Sequence, residues 1–473
     1  MGTISSAFSL MSQGLDADQS ALSVVANNVA NANTPGYTEE TPDWQQNQPI
    51  NINGVSYGDG VTETGATSVR DSVLNERLDQ QQQLASASSA RLTALNTVQV
   101  LFTPDSGSSS STAGDIGSDL TGFFSSLSSL EANPTDNSLR QNVLSTASTL
   151  AGDISNAASS LNSQRLSLDQ EAAGVSSQVN SLTSAIAQLN QQIMSTSPDS
   201  DAGTLEDQRQ QDMSQLSQLV GINKITTENS GLEITTTSGQ LLVSNDTSVQ
   251  MTNGTVNGVT NFFLGGVNIT SQLAFGGGEL GGYLTARDED IPSALSSLDQ
   301  LAYSISTQVN AQNNAGTDLD GVSGTKDAPL NIFNEPTAVS GSAANMSVVM
   351  TDPNHIAAGG LNDGTGDSSN AIAMAGLSEQ QILNGQTPTD YYSNFVSTLG
   401  ATVSSVQTEN TAQNASVTQL QTQNDALSSV NLDDEASSMT TLERSYQAAS
   451  QVLTMLNTIM AAALNLGDQT TVS

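Results

Sequence analysis

The sequence predicts a mainly α-helical protein with an inserted β domain: a terminal α-helical coiled coil, a discontinuous helical-bundle body and a small β-rich outer domain. Three observations carry this. Helical periodicity dominates both ends and most of the middle. The period drops from about 3.6 to 2 over one stretch beginning near Ile225. Helical sequence then flanks that stretch on both sides, so the helical part is discontinuous. With 473 residues the chain has room for about three domains at roughly 150 residues each.

At the N-terminal end Ile4, Phe8, Met11, Leu15, Leu22, Val25 and Val29 follow steps of four and three, and Asp18 is the one violation of that seam. Leu74, Leu78, Leu92, Leu95 and Phe102 mark a helix over 69–102, and the serine-rich run 104–112 reads as a loop. Ile116, Leu120, Phe123, Leu127 and Leu130 mark a short helix. A very long helical pattern covers 136–194, with Gly152 and Gly174 as its weak points. Further helices are expected over 204–219, 291–313 and 390–430.

Between them Ile225, Leu232, Ile234, Leu241, Val243, Val249, Val256, Val259, Phe263 and Val267 fall in short runs separated by glycine-rich turns. A second, shorter β segment is expected over 346–351. At the C-terminal end Leu432, Met439, Tyr446, Leu453 and Met460 stand seven residues apart, and Leu442, Ala449, Leu456 and Ala463 follow four of them by three. That is a narrow heptad stripe. The expected domains are therefore 1–68 with 430–473 (terminal helices and an extended linker), 69–223 with 284–429 (helical body) and 224–283 (β insertion).

An amphipathic helix lying on a globular core would show a similar stripe. The other faces decide between the two. Between 436 and 466 the charged residues are Glu443 and Arg444, and between 3 and 31 they are Asp16 and Asp18. Freely solvated helices usually carry charged pairs one turn apart. Small neutral faces suit helices surrounded by other helices, so both termini read as packing elements of an assembly.

The 47 acidic and 10 basic side chains leave a net charge of −37, although charged residues make up 12% of the chain. Lys224 and Lys326 are the only lysines. Phosphate backbones and anionic lipid surfaces need clustered cations, so neither nucleic acid nor membrane is expected as a partner. The absence of cysteine excludes disulfides and thiolate chemistry, and the single histidine, His355, leaves little room for acid–base catalysis or metal ligation. No cofactor and no metal are expected. The N-terminus lacks a basic, apolar cleavable signal, the first cation being Arg70.

Three motifs suggest chemistry. Gly54-Val55-Ser56-Tyr57-Gly58 matches the G-x-S-x-G pattern of a hydrolase nucleophile, yet its flanks read as turn and strand, without the helix that such a serine needs. Asp318-Leu319-Asp320-Gly321 resembles the start of a calcium loop but has no glutamate at position 12, and reads as a loop after a helix. The run Phe275–Gly282 is glycine-rich without a Lys-Ser/Thr pair, which makes a phosphate cradle improbable. The acidic triplet Asp433-Asp434-Glu435 suits the first turn of the last helix.

The stretch Ala21–Tyr37, which contains Asn27, Asn28, Asn31, Thr34, Pro35, Gly36 and Tyr37, resembles the N-terminal signature of the bacterial flagellar rod, hook and hook-associated axial proteins. The stretches Val430–Ala436 and Tyr446–Ala449 resemble the matching C-terminal end of the hook-associated members. Val69–Leu74 resembles the family's entry into the helical body, and Leu280–Leu284, with Arg287-Asp288 and Ile291-Pro292, resembles the family's segment after the β domain. Two places depart from the family pattern, Thr38-Glu39-Glu40 and Leu442–Ser445.

The resemblance implies a structural, non-enzymatic subunit of the extracellular flagellum, exported unfolded by the type III route and placed at the hook–filament junction. It implies self-association into a ring or helical assembly, contact with hook protein and the next hook-associated junction protein, and an export chaperone on the C-terminal helix. The alternatives are another axial component, such as a hook or rod protein, and a secreted serine hydrolase using Ser56. On the junction reading the assembly interface comprises Ile4, Phe8, Met11, Leu15, Leu22, Val25, Val29 and the motif residues above, with Leu432, Met439, Leu442, Tyr446, Ala449, Leu453, Leu456 and Met460.

Overall fold

The computed structural model describes residues 2–52, 55–103, 115–196, 202–227, 231–256, 258–361 and 363–468. The chain opens with α1 (Gly2–Asn31). Strand β1 (Glu40–Gln46) then pairs antiparallel with β4 (Val61–Ser68), with a register shift at Asp43/Trp44, and the small pair β2 (Ile50–Ile52) and β3 (Val55–Tyr57) is nested between them. The stretch expected as an extended linker is therefore a two-part antiparallel ribbon.

Three helices follow: α2 (Ser72–Val100), α3 (Ile116–Ala132) and α4 (Asn137–Ser195). Each starts at an aspartate, Asp71, Asp115 or Asp136, whose carboxylate accepts from backbone N–H groups that the first turn leaves unpaired. With 59 residues at 1.5 Å per residue, α4 is about 88 Å long. Gly152 and Gly174 do not break it: a helical glycine costs only about 1 kcal/mol, against burial along most of the helix. The serine-rich run 104–112 lies outside the described residues.

After α5 (Gly203–Leu219) the strands β5 (Ile222–Thr226), β6 (Leu232–Thr236), β7 (Leu241–Ser244) and β8 (Thr247–Ser248) form an antiparallel sheet in sequence order. A second sheet has the order β11-β10-β9, from β9 (Met251–Val256), β10 (Val259–Leu264) and β11 (Val267–Asn268). The insertion ends in two short helices, α6 (Thr270–Ala274) and α7 (Gly278–Thr285), so its last part is helical. The glycine run serves this corner. A Cβ at Gly282 would lie 2.3 Å from the Ala87 carbonyl of α2, and one at Gly278 would lie 2.4 Å from the Val220 nitrogen. Glycine here permits close backbone packing.

A π-helical turn (Ala286–Asp290) leads into α8 (Ile291–Asn314). The chain from 315 to 387 has little regular structure: α9 (Ser342–Asn345), a 3-10 turn (Pro353–His355) and α10 (Ser369–Gly376). The β segment expected over 346–351 is not a strand but an isolated bridge between Phe333 and Val348, flanked by the Asn334 N–H to Ser347 carbonyl and Val349 N–H to Ile332 carbonyl bonds. The long α11 (Pro388–Ser428) and α12 (Leu432–Asp468) close the chain.

Two apolar cores are strung along α4. Its first half packs with Phe123 and Leu127 of α3, Leu298 and Ile305 of α8, Phe333, and Val403 and Val406 of α11. Its second half, with Val179 and Ile186, packs with Leu216 of α5, Ile234, Val243 and Phe262 of the two sheets, and Leu280 of α7. The β insertion thus rests on the far end of a helix shared with the body. Buried Arg287 ties the two together: Nη1 donates to Asp169 on α4 at 2.5 Å and to the Thr260 carbonyl of β10 at 2.8 Å. Beyond Val406, α11 leaves the core and runs beside α2 through polar contacts such as Asn410 to Ser88 at 3.1 Å.

Candidate assembly interface

The terminal helices α1 and α12 lie against each other, and α1 also packs on the β1–β4 ribbon. The depth of burial is small. Among the described residues the deepest side chains of α1 are Ala17, Ala21, Val25 and Asn28, and on α12 Glu435 alone is buried. Met11, Leu15 and Leu22 of the expected seam are half-buried, whereas Phe8 and Val29 stay exposed. The side chain of Ile4 lies outside the described residues. The most deeply buried face thus keeps Val25 of the seam and adds Ala17, Ala21 and Asn28 beside it. The contacts of Asn28 to Glu40 and of Ser20 to Glu63 tie α1 to the ribbon.

On α12 the expected stripe reads directly. Met439, Leu442, Ala449, Leu453, Leu456 and Met460 are half-buried while the residues between them are exposed. Leu432 and Tyr446 stand outside that contact, at 51% and 39% exposure. A second stripe, absent from the sequence expectation, lies beside the first: Val452, Met455 and Ile459 are 41%, 62% and 48% exposed. Their spacing of three and four places them on one helix face. The signal was present in the sequence as extra apolar positions next to the heptad pair.

The terminal pair meets the rest of the molecule at a polar joint built on Asn28. Its Nδ2 donates to Glu435 Oε1 of α12 at 2.7 Å and to the Glu40 carbonyl at 2.8 Å. Its Oδ1 accepts from the Glu40 N–H at 3.0 Å and from the Tyr37 hydroxyl at 2.8 Å. The amide's four hydrogen-bond sites are all filled. Asn27 donates to Tyr37 Oη at 3.3 Å, and Asn31 donates to Asn27. Thr34 donates to Asn31 through both its N–H and its hydroxyl.

Thr34-Pro35-Gly36-Tyr37 is a turn closed by Tyr37 N–H to the Thr34 carbonyl at 3.2 Å, with Gly36 at φ +79°, in the left-handed region that favours glycine. The side chains of Asn27, Thr34 and Pro35 are exposed; those of Asn31 and Tyr37 are half-buried. The motif therefore works mainly as an internal clamp that redirects the chain from α1 into β1.

One step further along, Thr38 is held by Asp207 of α5, through its N–H at 2.9 Å and its hydroxyl at 2.8 Å. Arg70 donates to the same Asp207 at 2.7 Å and pairs with Glu206. The Glu39 N–H donates to the Ser428 carbonyl, at the end of α11, at 2.9 Å. Four carboxylates crowd this joint. Burial first, then Glu40, Asp207, Glu435 and Glu39, push the Tyr37 hydroxyl above the usual tyrosine range, so it stays a donor. Burial and then the Glu435 charge also raise Glu39. None of Thr38, Arg70, Asp207 or Glu435 was legible as a partner in the sequence, since their contacts span as many as 407 positions.

The hydrolase motif does not form a nucleophile elbow. Ser56 sits in β3 opposite Asn51, exposed, and the chain continues into β4 without a helix. Gly54 lies outside the described residues. Among the described residues no helix is long and apolar enough to cross a membrane.

Three family models match the chain. Flagellar hook-associated protein FlgK helical domain covers residues 105–327, Flagella basal body rod protein covers 11–38, and Flagellar basal body rod FlgEFG protein C-terminal covers 423–466. The two terminal matches fall on α1 with its turn and on α12. The chain is 25% identical to flagellar hook-associated protein 1 of Escherichia coli K12 and 26% identical to that of Salmonella typhimurium LT2, over 96% of this chain and 98% of each relative. It is 26% identical to that of Bacillus subtilis 168, over 96% of both. The solved structure of the flagellar hook junction protein FlgK from Burkholderia pseudomallei superposes with a TM-score of 0.64 at 19% identity, covering 73% of this chain and 99% of that one.

Proposed function

The chain belongs to the flagellar hook-associated protein 1 family, and from that premise we propose that it is a structural subunit of the hook–filament junction that assembles through α1 and α12. The observation that carries the assembly mode is the terminal pair itself. It buries little apolar surface, yet it displays Val452, Met455 and Ile459 together with Phe8 and Val29. Apolar side chains arranged on one face of a helix call for a partner surface. Further copies of this chain, hook protein below and the next hook-associated protein above supply it. The mostly helical body argues against a hook or rod protein with a β-rich outer region.

We read the chain as non-enzymatic and exported unfolded by the type III route, with the last helix held by a chaperone until it assembles. Deleting the gene tests the placement. Cells without this protein should build hooks and shed filament subunits into the medium. Filaments that remain attached at normal length would overturn the reading.

A further inference from the structure

We propose that Asp318, Asp320 and His355 form a three-ligand site for a divalent transition-metal cation, with zinc the best fit. One carboxylate oxygen from each aspartate and one ring nitrogen of the histidine lie within 4.8 Å of one another. The ligands come from two separate segments: the loop after α8, and the 3-10 turn at 353–355.

Asp318 is the anchor. It is 1% exposed, and its Oδ1 accepts from the N–H groups of Asp320 at 3.0 Å and Val322 at 2.7 Å. Its Oδ2 is buried and has no hydrogen-bond partner among the described residues. An unpaired carboxylate oxygen in a buried position costs free energy, and a cation is the ligand that removes that cost. Nearby Arg140 does not. Its guanidinium is spent on the carbonyls of Pro134 at 2.7 Å and of Ile356 at 2.6 Å, with longer bonds to those of Pro353 and Asn354. Against two carboxylates its single positive charge leaves one net negative charge for a cation.

The donor set selects the ion. Calcium and magnesium favour all-oxygen shells of six or more ligands, whereas two carboxylates and an imidazole, with solvent in the fourth position, suit tetrahedral zinc. Two zinc–ligand bonds of about 2.1 Å span at most about 4.2 Å. In a tetrahedral shell the donors stand about 3.4 Å apart, a spacing that donors lying within 4.8 Å of one another reach by side-chain rotation. Asp320 is exposed and His355 half-buried, so both can turn towards the fixed Asp318. The imidazole makes no hydrogen bond or ion pair of its own among the described residues. Bound metal would pin the loop after α8 to the turn at 353–355, which are otherwise joined by the Leu319 N–H to Asn354 carbonyl bond at 3.0 Å.

The test uses the full chain, stripped with a chelator and dialysed. Zinc chloride is titrated by calorimetry, and cobalt(II) by its visible d–d absorption. One equivalent of zinc should bind, the body should melt at a higher temperature with zinc than without, and cobalt should give tetrahedral bands. Asp320→Asn changes an exposed side chain and His355→Ala a half-buried one outside the apolar cores, so the metal-free proteins should melt close to wild type. Each should bind zinc at least about 100-fold more weakly, since losing even an outer-shell partner costs about 10–100-fold. No saturable zinc binding by the wild type, unchanged affinity in His355→Ala, or displacement of zinc by an equal concentration of calcium would each overturn the assignment.

Discussion

The body and the terminal pair are both built from long helices, yet they obtain their order differently. In the body Leu120, Phe123, Leu127, Leu130, Val143, Leu150 and Ile154 are fully buried, and aromatic rings interlock, Phe123 with Phe333 at 5.7 Å and Phe102 with Phe395 at 4.9 Å. In the terminal pair, among the described residues, three apolar side chains of α1 are buried and none of α12. What holds the pair in place is the Asn28 joint, a set of hydrogen bonds that fixes direction without supplying much burial. Apolar burial is the main source of folding free energy and polar networks mainly specify geometry. The body is therefore a self-sufficient fold, and on the proposed function the pair is a surface that neighbouring subunits would complete.

The comparison breaks most visibly under core truncation. Phe123→Ala should destabilise the body by about 3–5 kcal/mol, read as a lower midpoint in denaturant. Leu453→Asp, in the half-buried α12 seam, should leave the body's melting transition unchanged and still abolish joining of hooks to filaments. An equal loss of body stability from both variants would erase the distinction between the two regions.

A smaller effect sharpens the role of the joint. Asn28→Asp removes the donor that meets Glu435 and places a second carboxylate against it. The stranded groups should cost about 1–3 kcal/mol. That cost should fall on the attachment of the termini. A broad-specificity protease should remove roughly the first 60 and last 40 residues faster than in wild type, leaving a body of unchanged melting temperature. Equal cleavage rates would show that the joint does not hold the pair.

The smallest effect is on pH. Burial first, then the nearby Asp153 carboxyl group of α4, push Asp119 of α3 up from 3.8 to about 7. The folded body therefore holds this proton more tightly than the unfolded chain. The stabilisation is fully present below pH 3.8 and lost as the pH rises through about 7. Buried Asp79, raised to about 6 despite Lys224, acts in the same direction. Warming the body at pH 5.5 and at pH 8 should show the higher melting temperature at pH 5.5 from this term, and Asp119→Asn should reduce the difference. An unchanged difference in that variant would assign the pH dependence to other groups.

Much of the architecture was legible because long helices repeat one signal many times. The helices expected over 116–130, 136–194, 204–219 and 291–313 appear within two residues of those limits. The ribbon β1–β4 was not legible: sequences such as ETPDWQQ lack the alternation of a half-buried strand, and their pairing is fixed by contact with α1. The seam of α12 was legible because large residues make it. On α1 the seam reading includes buried Val25 but misses Ala17 and Ala21, because alanine gives little periodic contrast. The partners in the joint were hidden by distance along the chain, for no spacing rule links Thr38 to Asp207 or Asn28 to Glu435.

The most direct test of the central claim uses Met455, the most exposed member of the outer stripe on α12. Because its side chain faces solvent in the single chain, Met455→Asp should leave the purified protein soluble, with the wild-type melting transition and unchanged protease resistance. Added to isolated hooks with purified filament subunits, it should fail to support filament attachment where wild-type protein succeeds. Attachment at the wild-type level by Met455→Asp would contradict the account.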